Sequence, residues 1–131
     1  MTKKIVAIVL SLVLVLTATG TVVKASSYCS LSAGSYSGYG SCWISASSAG
    51  ATTYVNPMAH VEVSATYKYV SDPDTPNATM HTWNKSNGGD GSTSVSFDPG
   101  SNYRSYSIFA HHSFSSYDGY SASGNTEAYY P

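Results

Sequence analysis

The chain has 131 residues and a formal net charge of −1, with 42% hydrophobic and 10% charged residues, but these whole-chain figures average two unlike parts. Residues 26–131 keep only Lys68, Lys85 and Arg104 against seven acidic residues, a net −4 with neutral histidines. That balance excludes nucleic acid and anionic membrane as partners, because both demand clustered Lys and Arg.

The first 25 residues read as an export leader. Lys3 and Lys4 are followed by a nearly unbroken apolar run from Ile5 to Leu16, then by a softer stretch ending in Val23-Lys24-Ala25. Small or β-branched residues stand at the two positions a signal peptidase reads. The apolar core falls within the roughly 7–15 residues of a signal peptide and short of the about 20 residues of a membrane span. The expected organisation is a secretory signal peptide over 1–25 and one secreted β domain over 26–131, not embedded in a membrane. Cys29 lacks the Leu and small residues that precede a lipoprotein cysteine.

Cys29 and Cys42 are the only cysteines. Outside the cytosol they are expected to form one disulfide. The Gly/Ser-rich segment between them is read as a loop that folds back to let the sulfurs meet, worth roughly 3 kcal/mol in the chain-entropy picture. A nucleophilic Cys42 served by a histidine has no second feature behind it.

Beyond the leader the chain is rich in serine and tyrosine and poor in large aliphatics. Leu, Ile, Val and Phe make up 11 of 106 residues, a level that warns of disorder. Low charge and 17 aromatics argue the other way, so a folded domain with a core of Tyr, Trp, Phe, Val and Ala is expected. Residues 59–70 alternate strictly: Val61, Val63, Ala65, Tyr67 and Tyr69 on one face, His60, Glu62, Ser64, Thr66 and Lys68 on the other. This is the period of a half-buried antiparallel strand. Residues 103–114 repeat it, with Arg104, Tyr106, Ile108, Ala110, His112 and Phe114 on one face and Tyr103, Phe109 and His111 on the other with serines. Shorter strand-like runs fall at 42–47, 51–56, 78–84, 92–97 and 120–130.

Turn chemistry separates them. The segments 48–50, Asn56-Pro57, 71–77, 87–91, 98–100 and Asp118-Gly119 are built of Gly, Pro, Asn, Asp and Ser, the residues that turns require. About seven or eight short strands with regular turns predict an all-β fold, an antiparallel β-sandwich or small barrel.

Candidate sites are sparse. His60, His111 and His112 are weak metal candidates, because adjacent strand residues point to opposite faces and no zinc-type spacing is present. Oxygen-rich loops holding Asp72, Asp74, Asn77, Asn87 and Asp90 are explained by turn formation without calcium. Catalytic signatures are missing, and nothing ties Glu62 or Glu127 into a glycosidase dyad; neither an enzymatic activity nor a cofactor is expected. Tyr36 and Tyr39 in the Gly/Ser segment, with Tyr117 and Tyr120 around Asp118-Gly119, are the candidate binding aromatics, since exposed Tyr among Ser and Gly is the chemistry of adaptable contact surfaces. The resulting expectation is a small secreted, non-enzymatic binding protein that engages an extracellular glycan or protein surface. The rivals are a bacteriocin-like or toxin-like antagonist of competitor envelopes, and a small secreted hydrolase or metal-binding protein.

Overall fold

A computed structural model of the chain describes residues 25–131 together with the two-residue strand β1 (Val9–Leu10). Apart from that pair and Ala25, the leader read over 1–25 lies outside the described residues. The remaining strands are β2 (Ala25–Ala33), β3 (Tyr36–Ile44), β4 (Ala49–Asn56), β5 (His60–Ser71), β6 (Thr79–Asp90), β7 (Ser92–Phe97), β8 (Tyr103–Ser115) and β9 (Ser121–Tyr129). They form two antiparallel sheets, ordered β1-β2-β3-β4-β7 and β6-β5-β8-β9, packed face to face as a β-sandwich. We call them sheet A and sheet B.

Strict alternation makes β5 the centre of sheet B. Val61, Val63, Ala65 and Tyr67 are buried and their neighbours face outward, as the period of two predicts. The strand pairs with β6 on one side and β8 on the other. In β8 the pairing slips between Lys68 and Tyr69, so that Lys68 faces Ser107 and Tyr69 faces Ser105. Tyr106 is the extra residue. The bulge turns it outward and brings Ser105 into the core, where its hydroxyl meets the Tyr67 phenol at 2.7 Å. The expectation that Arg104 and Tyr106 share the core face with Ile108 is therefore corrected by one residue of register; both are exposed, and Arg104 pairs with Asp74 at 2.9 Å.

Two segments read as loops are strands. The Gly/Ser segment between the cysteines is the end of β2 and most of β3, joined by a two-residue hairpin turn at Gly34-Ser35. Gly34 takes a φ of 61, which a primed hairpin turn demands and which glycine adopts without steric cost. Likewise β6 runs on through Asn87-Gly88-Gly89 to Asp90, and only Gly91 bends the chain across to sheet A. Gly91 is held by Ala59 and Val55, its N–H donating to the Ala59 carbonyl at 2.8 Å and its carbonyl accepting from the Val55 N–H at 2.9 Å. Two other segments cross between the sheets: residues 57–59, entered through a cis Asn56-Pro57 bond, and residues 98–102, from β7 to β8.

The core divides into two apolar clusters. One gathers Ile44, Val63, Tyr67, Val95, Phe97 and Ile108 with small alanines. The other gathers Cys29, Leu31, Val55, Val61 and Phe114. Between them runs a buried polar line of Thr53, His112 and Thr126, each at most 1% exposed. Aromatic stacking thickens the first cluster: Tyr67 packs on Phe97 and Tyr69 at 5.2 Å, and Trp83 meets Phe97 edge-on at 5.5 Å. Rings thus do the filling that leucines do elsewhere.

The expected disulfide is not formed; Cys29 and Cys42 are free, buried thiols. The register explains it. Cys29 lies opposite Gly40 and Cys42 opposite Ser27, so the two cysteines are diagonal neighbours rather than a facing pair. Diagonal positions are separated by about 7–8 Å, beyond the reach of an unstrained disulfide.

Candidate functional site

The buried polar line holds the strongest group of chemically capable side chains. The Thr53 hydroxyl donates to the Glu62 carbonyl at 3.0 Å. Its oxygen therefore accepts from the His112 Nδ1–H at 2.8 Å, and His112 Nε2, left as the acceptor, accepts a hydrogen bond from the Thr126 hydroxyl at 2.7 Å. Space for the ring is made by Gly40: a Cβ there would lie 2.2 Å from His112 Cγ. Burial, reinforced by the neighbouring His111, pushes the imidazole down to about 4. A neutral ring with both nitrogens satisfied and no solvent access is a structural bridge between the sheets, not a base waiting for substrate.

Cys42 lies beside this line. Burial pushes its thiol up to about 11 against the Thr126 hydroxyl, which pulls the other way. Cys29 is raised as well, by burial first. Thiols so held are protonated and poor nucleophiles.

The weak metal candidates separate. His112 points into the core, while His60 and His111 stand on the outer face of sheet B. His60 Nε2 meets Glu62 at 3.3 Å and its Nδ1 lies 3.8 Å from Asp90. His111 Nδ1 bonds Asn125 at 2.7 Å. Among the described residues no group of three or more His, Cys, Asp or Glu side chains is placed to hold a metal ion. Glu62 and Glu127 stand on β5 and β9, with β8 between them and two residue rows apart. Two shallow depressions adjoin these residues. One, of about 460 Å³, lies over Glu62, Ser64, Asn87 and His111. The other, of about 420 Å³, lies between Met58, His60, Asp90 and Tyr117.

The candidate aromatics split into two places. Tyr36, Tyr117 and Tyr120 gather at one end of the sandwich, where the β2–β3 turn meets the β8–β9 turn. Tyr36 packs against Phe114 at 5.9 Å and Tyr120 at 6.0 Å, and its hydroxyl donates to Asp118 at 3.0 Å. The Ser116 hydroxyl first, and then the Tyr36 phenol, hold the Asp118 carboxyl below the usual carboxylate range. Gly34 lies so close to the Tyr120 ring that a Cβ would fall 2.6 Å away. Tyr36 and Tyr120 therefore clamp two hairpin turns together, and only Tyr117 projects fully into solvent.

Tyr39 belongs elsewhere. It is not in a loop but on the outward face of β3, directly opposite Tyr54 of β4, with ring centroids 5.5 Å apart. Tyr28 of β2 faces Ser41, one row along, and Trp43 faces Ser26 and Gly50 in the row after that. Tyr28 is thus a diagonal neighbour of both Tyr39 and Trp43, within reach of aromatic side chains. Along β2, β3, β4 and β7 its outward neighbours are Ser, Thr, Gly and Asn56, and across the β1–β2 pairing Tyr28 lies opposite Leu10. The four long strands of sheet A contain no Asp, Glu, Lys, Arg or His. Sequence inspection flagged Tyr39 but missed Tyr28, Trp43 and Tyr54; the charge-free composition of these strands was the signal that could have found them.

No family model, no curated protein and no solved structure matches this chain.

Proposed function

We propose that this protein is a small secreted binding module that attaches to an extracellular glycan surface and performs no catalysis. The observation that supports it is the segregation of charge. Every Asp, Glu, Lys and Arg of residues 26–131 lies outside the long strands of sheet A, which present aromatic rings and hydroxyls instead. The groups capable of acid, base or nucleophilic work favour the same reading. His112 and Cys42 are sealed in the core in their uncharged forms, and Glu62 and Glu127 stand apart. The leader composition supports export.

Isolated cell walls test the reading. Purified protein is mixed with walls, with walls stripped of their glycan by enzymatic digestion, and with growing neighbour cells. The expected result is sedimentation with intact walls, loss of sedimentation after digestion, and undisturbed growth. Growth inhibition at wall-saturating protein would replace this reading with the antagonist. Sedimentation that survives glycan digestion would replace it with a protein receptor.

A further inference from the structure

The outer face of sheet A narrows the ligand. Three of its rings stand on successive strands: Tyr28 on β2, Tyr39 on β3 and Tyr54 on β4. They are 45%, 43% and 40% exposed, so one side of each is open while the other rests on the sheet. Trp43 is laid flat by a second device. A Cβ on its partner Gly50 would lie 2.7 Å from the indole Nε1 and 2.8 Å from Cε2; the missing side chain lets the indole rest on the β4 backbone. On the outward positions of β2, β3, β4 and β7 no aliphatic side chain stands among the rings.

We propose that this face is the binding site for a neutral, extended polysaccharide, gripped along its flat sugar faces by Tyr28, Tyr39, Tyr54 and Trp43. The inference rests on the glycan-binding reading above and gives it a site and a ligand class. The C–H face of a pyranose ring is apolar and faintly electropositive, and it packs on the electron-rich face of an aromatic ring. Tyr39 and Tyr54 face each other across strands about 4.8 Å apart, with ring centroids at 5.5 Å, a repeat similar to that of successive sugars in an extended chain, and Tyr28 stands one diagonal step, about 7–8 Å, further on. Serine and threonine hydroxyls between the rings can exchange hydrogen bonds with sugar hydroxyls. An anionic glycan would find no Lys, Arg or His on these strands. A protein partner would find no arginine or pocketed anchor, the usual hot-spot chemistry. Among the described residues, the cation at the rim is Lys85, and it is committed to the Ser96 carbonyl at 2.6 Å and lies 4.5 Å over Trp83.

The test is depletion of purified protein from solution by microcrystalline cellulose, by chitin and by an anionic pectate gel. Binding to at least one neutral solid is expected, unaffected by molar salt because no charge pairs form. The Tyr39→Ala/Tyr54→Ala variant should lose roughly tenfold in affinity per ring, as other aromatic stacking platforms do. Phe109→Ala, which removes an exposed ring from the opposite sheet, should bind as the parent does. Thermal melts identify any variant that has failed to fold. Where a melt shifts, Tyr39→Phe/Tyr54→Phe serves instead; it keeps the rings and should keep the binding. In a Trp83→Phe background, Trp43 fluorescence should change when soluble oligosaccharides of the bound polymer are added. Parent binding left intact in a folded Tyr39→Ala/Tyr54→Ala variant overturns the site, and wall sedimentation would still stand for the broader reading. Binding to pectate alone, or to neither neutral solid, overturns the ligand class. Failure to sediment with any wall overturns the broader reading as well.

Discussion

His112 shows how one residue sets the acid limit of the fold. In the unfolded chain an imidazole takes up its proton near pH 6.5, whereas the native ring, closed between Thr53 and Thr126, does so only near 4. Between those values the unfolded state binds more protons than the native state, so stability falls as pH falls through the window. The difference corresponds to about 3 kcal/mol, fully present above pH 6.5 and lost by pH 4. Denaturant midpoints measured across this range should decline in the parent. In His112→Gln, which has no proton to take up, this part of the slope should vanish even though the variant starts less stable. An equal slope in both would show that the native ring is not buried neutral. The alternation over 103–114 placed His112 on the inner face from sequence alone. Its two threonine partners come from β4 and β9, 59 and 14 residues away, and no local pattern links them.

At the scale of the strand, close approach between the sheets depends on where side chains are missing. Gly40 on β3 faces the His112 ring, and Gly124 on β9 sits against Cys29, where a Cβ would lie 2.9 Å from the sulfur. Gly40→Ala should therefore destabilise the domain by about 1–3 kcal/mol through overpacking, read as a lower melting temperature. The same substitution at Gly119, where a Cβ would meet nothing within 4 Å, removes no such space and carries only the cost of its positive φ. A melt for Gly40→Ala equal to the parent's would mean that the sheets can part freely along the polar line. These glycines also explain which strands were legible. β5 and β8 alternate bulky inner residues with polar outer ones, and their period shows. In β2 and β3 most inner positions are small (Ser27, Cys29, Gly38, Gly40 and Cys42), and only Leu31 and Ile44 are bulky aliphatics, so the alternation carries little hydropathy contrast and the segment reads as a Gly/Ser loop. The aromatic face was hidden for a related reason. Tyr28, Tyr39, Trp43 and Tyr54 become neighbours only through the β2–β3–β4 register, which depends on the Gly34-Ser35 turn.

For the whole molecule, stability without a crosslink has to come from packing, and the rings supply it. Tyr67, Tyr69, Phe97, Trp83, Tyr103 and His81 form a continuous stack at one end of the sandwich, and aromatic pairs contribute about 0.5–1.5 kcal/mol each beyond their burial. The two thiols remain in the core as small hydrophobes. Diagonal register keeps them from joining even in an oxidising compartment, and burial keeps both protonated: Cys42 is pushed up to about 11 and Cys29 is raised in the same direction. Three measurements follow together. Native protein should be inert to an aromatic disulfide reagent at mildly alkaline pH, since neither sulfur is exposed or ionised. Denatured protein should release both thiols of the chain without any reductant. Reductant should leave the melting temperature unchanged. A chain that shows no thiol in denaturant until reductant is added would have joined Cys29 to Cys42, which requires β2 and β3 to slip by two residues. That slip would move Gly40 from its place over His112 and break up the row of rings on the outer face, so the thiol count also reports whether the register that builds that face is the one the protein adopts.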